Sequence, residues 1–335
     1  MKVASIDIGT NSVRMLMAEK EGAFYKPLKR LTEITRLGED VNETKTLKKE
    51  AIERTLNTLL KYKQLTEKEA VDRVKVCASS VLREAKDSDV SAFQDRVRKK
   101  TGFEVEVLSG EKEAKLTHLG AVSRYMIPGF SLKGGSGTDF KKTSGKGGLI
   151  IVIDLGGGST EFVLSENSEV KRTFSLDIGS VRLKEMFLRS DPPSEAELEN
   201  LKNHVHKEIE EIVRLLRDFY APNKVAETKG LELGPRVIGV GGTITTLSAI
   251  KHEMEAYNWK KVHGSTLTLA DIEGIFRELK SRSLADRKKI VGLEPRRADV
   301  IIAGALILIE ILKDLSLKIL TVSENDILSG LLLSL

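Results

Sequence analysis

The chain has 335 residues, of which 40% are hydrophobic, and a net charge of +5; these values are typical of a soluble globular protein with two domains. Its one cysteine, Cys77, excludes an intrachain disulfide and a cluster of thiolates around a metal. The longest apolar run, residues 300–309, is too short to span a bilayer, and no secretory signal is recognisable, so we expect a cytoplasmic protein. Aromatic residues are only 5% of the chain, and no basic stripe accompanies them, which argues against nucleic acid as a partner.

The first part of the chain alternates between strand and helix patterns. Residues 3–8 form an apolar run that Gly9 ends, which predicts a buried strand followed by a tight turn. Further strands are predicted at 12–18, 28–37, 74–78 and 103–108, and helices at 48–63, 91–101 and 109–125.

Residues 128–148 interrupt this alternation. They are rich in Gly, Ser and Lys and show no hydrophobic period. We interpret them as a flexible linker, with a functional lid as the alternative.

The alternation then resumes up to the last residue. Strands are predicted at 149–155, 161–165, 170–176, 237–240 and 319–322, and helices at 194–220, 243–252, 269–281, 297–315 and 327–335.

One short motif occurs twice, 147 positions apart: residues 6–12 align with residues 153–159. Each copy is an apolar strand followed by an aspartate, a glycine turn and a hydroxyl residue. The repeat predicts an internal duplication, in which two α/β domains flank a cleft. We place the first domain at 1–126 and the second at 127–322, with a C-terminal helix of about residues 323–335 that packs back on the first domain.

Three glycine loops follow predicted strands and are candidates for binding phosphate. Glycines let the backbone approach a ligand closely and present several N–H groups to an anion. The loop residues are Gly9, Thr10, Asn11 and Ser12; Gly156, Gly157, Gly158, Ser159 and Thr160; and Gly241, Gly242 and Thr243.

The two repeated aspartates, Asp7 and Asp154, are not required to form a turn. At a strand end beside phosphate-binding loops, a carboxylate is suited to hold Mg²⁺, often through water. A cap on the glycine loop is the alternative for each aspartate taken alone. Because the two aspartates occupy equivalent positions in the repeat, metal binding is the favoured interpretation for both.

Several segments, taken together, resemble the exopolyphosphatase/guanosine pentaphosphate phosphohydrolase (Ppx/GppA) family. They are IDIGTNSVRM, KVCASSVLREAK, SGEKEAKLTHLGA, IDLGGGSTEF, GVGGTITTL, VHGSTLTL and RRADVIIAGALIL, and they occur in the family's order. The resemblance covers nearly the whole chain. It implies the actin/Hsp70/sugar-kinase-like (ribonuclease H-like) superfold, which agrees with the two domains that the duplication predicts.

The resemblance also implies roles for individual residues. Glu113 matches the catalytic glutamate that activates water, although the pattern around it alone would make it a solvated surface charge. Glu161 matches a second glutamate that positions water or a metal. The metal residues would be Asp7, Asp154 and Glu161, with Mg²⁺ or Mn²⁺ as the ion. The arginines that would meet phosphate are Arg14, Arg83 and one of the pair Arg296 and Arg297.

The implied activity is release of the terminal phosphate of polyphosphate or of the 5′ γ-phosphate of guanosine pentaphosphate, which would connect the protein to the stringent response. The alternatives are a sensor that binds guanosine tetra- or pentaphosphate with little turnover, and an ATP-dependent kinase or filament-forming ATPase of the same superfold. No membrane partner is expected, and a homodimer is left open.

The sequence departs from the family in several places. Where the family commonly has Gly-Leu-Arg-Glu-Gly, residues 326–330 read Asp-Ile-Leu-Ser-Gly. Lys112 replaces the first carboxylate of the usual Glu-Glu pair. The extra C-terminal helical domain of the longer polyphosphatases does not follow residue 335, so we expect short chains or guanosine pentaphosphate rather than processive action on long polyphosphate.

Overall fold

The computed structural model describes residues 1–21, 24–126, 149–166, 169–219 and 235–335, so the predicted linker at 128–148 lies outside the described residues. The chain divides into two compact units. The first contains the described residues of 1–131, 156–158 and 325–335, and the second those of 132–155 and 159–324. The predicted domain boundary between residues 126 and 127 lies at the end of the described range 24–126, so it stays a prediction.

The first unit is built on a five-stranded mixed sheet. Its strands are β1 (Lys2–Ile8), β2 (Ser12–Glu21), β3 (Phe24–Ile34), β4 (Arg73–Ala78) and β5 (Val105–Val107), in the order β3-β2-β1-β4-β5. β2 is antiparallel to β1 and β3, whereas β4 is parallel to β1 and β5.

Helices cover both faces of this sheet. They are α1 (Val41–Thr44), α2 (Lys49–Lys68), α3 (Ser80–Glu84), α4 (Asp87–Thr101), α5 (Gly110–Met126) and the C-terminal helix (Ile327–Leu333). Because side chains alternate along a strand, Ile6 and Ile8 pack in the core beneath α2 and α4, while Val3 packs with Leu328 of the C-terminal helix. Ser5 donates its hydroxyl to the Leu328 carbonyl oxygen at 2.8 Å. Asp7 therefore shares the face of the sheet that carries the C-terminal helix.

The second unit repeats the same arrangement. Its strands are β6 (Leu149–Leu155), β7 (Thr160–Glu166), β8 (Glu169–Leu176), β9 (Arg236–Val240), β10 (Thr266–Thr268) and β11 (Ile319–Val322), in the order β10-β11-β9-β6-β7-β8. β6, β7, β8, β9 and β11 correspond to β1 through β5 in order and direction, and β10 adds one antiparallel strand. The α/β class and the internal duplication predicted from the repeated motif are confirmed.

The helices of the second unit enclose a large apolar core. They are α6 (Ser180–Phe187), α7 (Glu195–Phe219), α8 (Gly242–Lys251), α9 (Trp259–Val262), α10 (Leu269–Ser281), α11 (Leu284–Arg287) and α12 (Ile301–Asp314), with a 3₁₀ turn at Pro295–Arg297. α12 is buried from Ile301 to Leu312 and forms the centre of this core. None of the described helices combines the length and the apolar character needed to cross a bilayer.

Several predicted bounds were wrong. The helix predicted at 297–315 begins at Ile301, because the preceding residues form the 3₁₀ turn. The strand predicted at 28–37 is β3, which pairs with β2 from Phe24 and ends at Ile34, before Arg36 adopts a positive φ of 51°. The helix predicted at 91–101 begins four residues earlier, at Asp87. The short elements α1, α3, α6, α9, α11 and β10 were not predicted, since segments of three to eight residues show little hydrophobic period.

The C-terminal helix crosses α5 at very close range. A Cβ atom on Gly330 would lie 1.9 Å from the Leu116 carbonyl oxygen, and one on Gly120 would lie 1.9 Å from the Asp326 carbonyl oxygen. Both obstacles are backbone atoms, which cannot rotate away. The absence of side chains at these two positions therefore allows the C-terminal helix to pack this closely against α5.

We expect Gly330→Ala to destabilise the protein by about 3 kcal/mol, because the added methyl group forces two packed backbones apart. Gly274→Ala is the matched control, since the nearest atom to its new Cβ is an Arg277 nitrogen at 3.9 Å. That control should stabilise by up to ~1 kcal/mol through better helix propensity. Urea unfolding monitored by circular dichroism measures both changes. Equal effects of the two substitutions would contradict the close crossing.

Candidate active site

The first glycine loop is a tight turn between β1 and β2. The Gly9 N–H donates to the Ser12 carbonyl oxygen at 2.9 Å, and the Asn11 carbonyl oxygen accepts from the Thr35 and Arg36 N–H groups at 3.1 and 3.0 Å. The Asn11 side-chain nitrogen is buried and has no hydrogen-bond partner in the described part of the chain. The loop is thus rigid and contains one unused amide donor.

Asp7 lies at the end of β1 and is paired with Arg14. The two residues are directly opposite each other in the register of β1 and β2. Both Nη2 and Nε of Arg14 donate to the same carboxylate oxygen of Asp7, at 2.6 and 3.2 Å. Arg14 Nη1 also donates to the carboxylate of Asp326, at the start of the C-terminal helix. The Arg14 guanidinium therefore lies between two carboxylates.

Glu113 lies in the first turn of α5, directly after β5, and is only 7% exposed. Its Oε2 accepts from Arg83 Nη1 at 2.6 Å, and the same nitrogen donates to the Leu108 carbonyl oxygen at 3.0 Å. Burial raises the pKa of the Glu113 carboxyl above its usual range, Arg83 opposes that shift, and the negative charge of nearby Asp7 adds to it. Glu113 is therefore a buried, arginine-held carboxyl rather than a solvated surface charge.

The second unit places two carboxylates opposite each other. Asp154 of β6 and Glu161 of β7 are register partners, and both are buried, at 8% and 2% exposure. Glu161 Oε1 accepts from the Ser175 hydroxyl of β8 at 2.8 Å. Directly opposed like charges destabilise a sheet unless a cation or a proton compensates them. The pair thus has the chemistry of a cation site.

The loop between β6 and β7 contains Gly156, Gly157 and Gly158, and then two buried hydroxyl residues. The Thr160 hydroxyl donates to the Ile178 carbonyl oxygen at 2.5 Å, so this group holds the backbone in place. Ser159 is also buried, at the end of the loop.

The third glycine loop closes on the end of β6 and begins α8. Gly241 has a φ of +99°, and a Cβ there would lie 2.5 Å from the Leu155 carbonyl oxygen and 2.9 Å from Asp154 Oδ1. A Cβ on Gly242 would lie 2.2 Å from Arg297 Nη1. The backbone of Leu155, the carboxylate of Asp154 and the guanidinium of Arg297 therefore all approach this loop closely.

The neighbouring arginines 296 and 297 have different environments. Arg297 lies against Gly242, at the N-terminus of α8. Arg296 is exposed and its Nε donates to Glu294 at 3.1 Å. Of this pair, Arg297 is the one beside a candidate phosphate loop. Thr243, the next loop residue, is buried against Gly304 of α12.

The structure thus forms two groups of candidate residues, one in each unit. Asp7, Arg14, Arg83 and Glu113 gather in the first unit. Asp154, Glu161, the third loop and Arg297 gather in the second. Nowhere in the described ranges do three or more His, Cys, Asp or Glu side chains converge on one point. Mg²⁺ commonly binds proteins through only one or two carboxylates together with substrate phosphates, and the Asp154–Glu161 pair fits that pattern.

Two residues of these groups were not identified from the sequence. Ser175 holds Glu161, and its only sequence signal was its position on a predicted strand. Asp326 holds Arg14, and the sequence pointed to this segment only as one that lacks the family's Arg and Glu. Both contacts depend on strand and helix packing that local patterns do not determine.

Buried carboxylates and glycine loops at the carboxyl ends of the first strands are features of α/β proteins that bind phosphate groups. The model of the Ppx/GppA phosphatase family matches residues 16–133 and 140–335. The chain therefore belongs to this family. A crystal structure of the Aquifex aeolicus family member is 33% identical, covers 100% of this chain and 97% of that one, and superposes with a TM-score of 0.74.

Curated relatives carry phosphatase and pyrophosphatase names. Exopolyphosphatase 2 of Mycobacterium tuberculosis is 35% identical over 100% of this chain and 98% of that protein. A bifunctional 3-dehydroquinate synthase/phosphatase of Fusobacterium nucleatum is 36% identical over 98% of this chain, which spans 46% of that longer protein. A guanosine-5′-triphosphate,3′-diphosphate pyrophosphatase of Aliivibrio fischeri is 25% identical, and the matched region is 98% of this chain and 58% of that protein.

We expect Gly241→Ala to destabilise the protein by about 2–4 kcal/mol, because the new side chain meets backbone at a positive φ. Gly242→Ala should cost clearly less, because the obstacle is the flexible end of Arg297, which can move. Denaturant unfolding of the two variants measures the difference. A larger loss for Gly242→Ala would contradict the loop geometry.

Proposed function

We propose that the protein is a phosphohydrolase that releases the terminal phosphate of inorganic polyphosphate, or the 5′ γ-phosphate of guanosine pentaphosphate. The observation that carries this proposal is the buried carboxyl of Glu113, held by Arg83 beside Asp7. Family membership and the names of the relatives support the reaction class.

Glu113 would act as the general base for the attacking water. A base works best when its pKa approaches the working pH, and burial moves the pKa of Glu113 in that direction. Arg83 would keep the carboxylate in one orientation, because its Nη1 is also anchored on the Leu108 carbonyl. These two contacts supply the fixed geometry that a water-activating base needs.

Direct attack by water is preferred over a covalent intermediate. Cys77, the only cysteine, is fully buried, and burial together with nearby Asp7 raises the pKa of its thiol well above its usual value. A thiol held in the protonated form is a poor nucleophile. No other nucleophile with an adjacent base is suggested by the sequence.

The glycine loops and arginines would bind the phosphates. The N-terminus of α8 begins at Gly242 and offers backbone N–H groups to an anion. Arg297 lies at the same place and would add a cation. Phosphoryl transfer depends mainly on positioning and on neutralising the charge of the phosphates, which these groups can provide.

Mg²⁺ or Mn²⁺ is the proposed cofactor, and Asp154 and Glu161 of the second unit are the residues that would hold it. The metal role of Asp7 in the first unit stays a prediction from the sequence. When bound, such an ion neutralises phosphate charge and orients the scissile group. The opposed carboxylates of Asp154 and Glu161 are the observation that supports it. Ser175 would keep Glu161 in place through its hydroxyl.

Glu113→Gln should reduce orthophosphate release from short polyphosphate or guanosine pentaphosphate by about 10²–10⁴-fold, because the amide cannot accept the proton. Glu111→Gln is the matched control: it lies two residues away, is exposed and forms an ion pair with Lys115. It should keep wild-type turnover. A phosphate-release assay with circular dichroism as a folding check measures both variants.

Wild-type turnover in Glu113→Gln would refute the role of Glu113 as base. Tight binding of guanosine penta- or tetraphosphate by wild-type protein that releases no phosphate would instead support an alarmone sensor. The residues Leu328 and Ser329, which stand where the family commonly has Arg and Glu, motivate that second candidate.

The pH profile should respond to Arg83. Activity requires the Glu113 carboxylate, so kcat/KM should fall as the pH drops through the Glu113 pKa. Arg83 lowers that pKa, so Arg83→Met should raise it and move the acid limb of the profile to higher pH. Arg98 is exposed and pairs with Asp95, so the control Arg98→Met should leave the acid limb in place. A shift of the limb to lower pH in Arg83→Met would contradict the assignment.

A further inference from the structure

Asp326 makes two separate contacts with its two carboxylate oxygens. Oδ1 accepts from the Leu328 N–H at 3.0 Å and caps the C-terminal helix. Oδ2 accepts from Arg14 Nη1. Asp326 is only 6% exposed, so this ion pair is largely removed from solvent. One aspartate thus both begins the helix and holds the arginine that holds Asp7.

The position of Asp326 is fixed independently of Arg14. Its carbonyl oxygen packs against Gly120 of α5. The residue before it, Asn325, accepts from Arg30 Nη2 of β3 at 3.1 Å. Asp326 caps the N–H of Leu328, and the carbonyl oxygen of Leu328 accepts from the Ser5 hydroxyl of β1. Asp326 is therefore held in place by contacts other than its ion pair with Arg14.

We propose that Asp326 is a positioning residue for the reaction: it holds Arg14 so that Arg14 presents its Nε and Nη2 to Asp7, and it offsets the charge that Arg14 could otherwise offer to phosphate. The proposal rests on the proposed phosphohydrolase function. In this group one guanidinium lies between two carboxylates, so its positive charge is more than compensated. Arg14 then orients Asp7 rather than acting as a strong phosphate clamp.

The proposal separates two consequences of losing the Asp326 carboxylate. Arg14 becomes available to the anionic substrate, so ground-state binding tightens. Asp7 loses its fixed orientation, so the chemical step slows. A residue that only stabilised the helix would change neither quantity, and its loss would appear in the unfolding midpoint alone.

Asp326→Asn is the test variant, because asparagine caps helices as well as aspartate does but has only one oxygen to offer. With that oxygen on Leu328, the amide nitrogen faces Arg14 and cannot accept from it. Asp326→Ser is a second variant that also caps the helix and is too short to reach Arg14. Agreement between the two separates the ion pair from a local folding defect.

A charge control lies on the opposite face of the same sheet. Glu33 of β3 is the register partner of Val13, whose side chain packs beneath α2. Burial and then the nearby Glu33 carboxylate raise the pKa of Tyr62 in α2, which places Glu33 on that side. Glu33→Gln removes the same charge from the sheet on the face that does not carry Arg14.

Two measurements are made on each full-length variant: the dissociation constant for tripolyphosphate in EDTA, by calorimetry, and kcat and KM for phosphate release with Mg²⁺. Asp326→Asn should bind tripolyphosphate about fivefold more tightly, which corresponds to ~1 kcal/mol, and should lose at least about tenfold in kcat. Glu33→Gln should change both by less than about twofold.

A double variant that combines Asp326→Asn with Arg14→Gln tests whether Asp326 acts through Arg14. If Asp326 acts through Arg14, adding Asp326→Asn to Arg14→Gln changes kcat and the dissociation constant by less than about twofold, because contacting residues are not additive. Equal effects with and without Arg14 overturn the proposal, as does a lower unfolding midpoint with unchanged kcat and binding. If the wild-type protein neither releases phosphate nor binds tripolyphosphate, the proposed function itself is overturned. If the wild type is active and Asp326→Asn has the same kcat and dissociation constant, only the positioning role is overturned.

Discussion

A buried carboxylate must be compensated, and this requirement determines the arrangement of the candidate site. Removing an isolated carboxylate from water is costly unless a cation, a proton or several hydrogen bonds replace the lost solvation. In the first unit, arginines compensate the buried carboxylates: Arg14 pairs with Asp7, and Arg83 pairs with Glu113. The second unit places Asp154 against Glu161, whose Oε1 accepts from the Ser175 hydroxyl. The proposed function adds a cation at these two opposed carboxylates.

The two halves of the internal duplication differ in the residue that faces the repeated aspartate. Arg14 and Glu161 occupy equivalent positions, because each is the register partner of the repeated aspartate. The two halves thus keep the strand, the aspartate and the glycine turn but carry opposite charges across from the aspartate. In the first half the cation belongs to the chain itself. In the second half, the proposed function adds a divalent ion at the aspartate and the glutamate.

The sequence predicted the features that depend on local pattern. The repeated strand, aspartate and glycine turn were sufficient to predict two α/β units, because apolar runs and glycine turns directly specify strands and their ends. The burial of Glu113 was not predictable from its helix, since Glu111, Lys112 and Lys115 around it suggest a solvated face. Its environment depends on Arg83, thirty residues earlier, and on the end of β5. The contacts of Asp326 depend in the same way on how the C-terminal helix crosses α5, which is set by Gly120 and Gly330. The start of α12 was misplaced because the apolar run gives no sign of the 3₁₀ turn before it.

The most direct test of the central claim is hydrolysis in ¹⁸O-labelled water, with purified wild-type protein, Mg²⁺ and three substrates: short polyphosphate, long polyphosphate and guanosine pentaphosphate. Water attack on the terminal phosphorus predicts one labelled oxygen in each orthophosphate released from at least one substrate, and none in the shortened product. Label in the shortened product, or no orthophosphate from any of the three, would contradict the account.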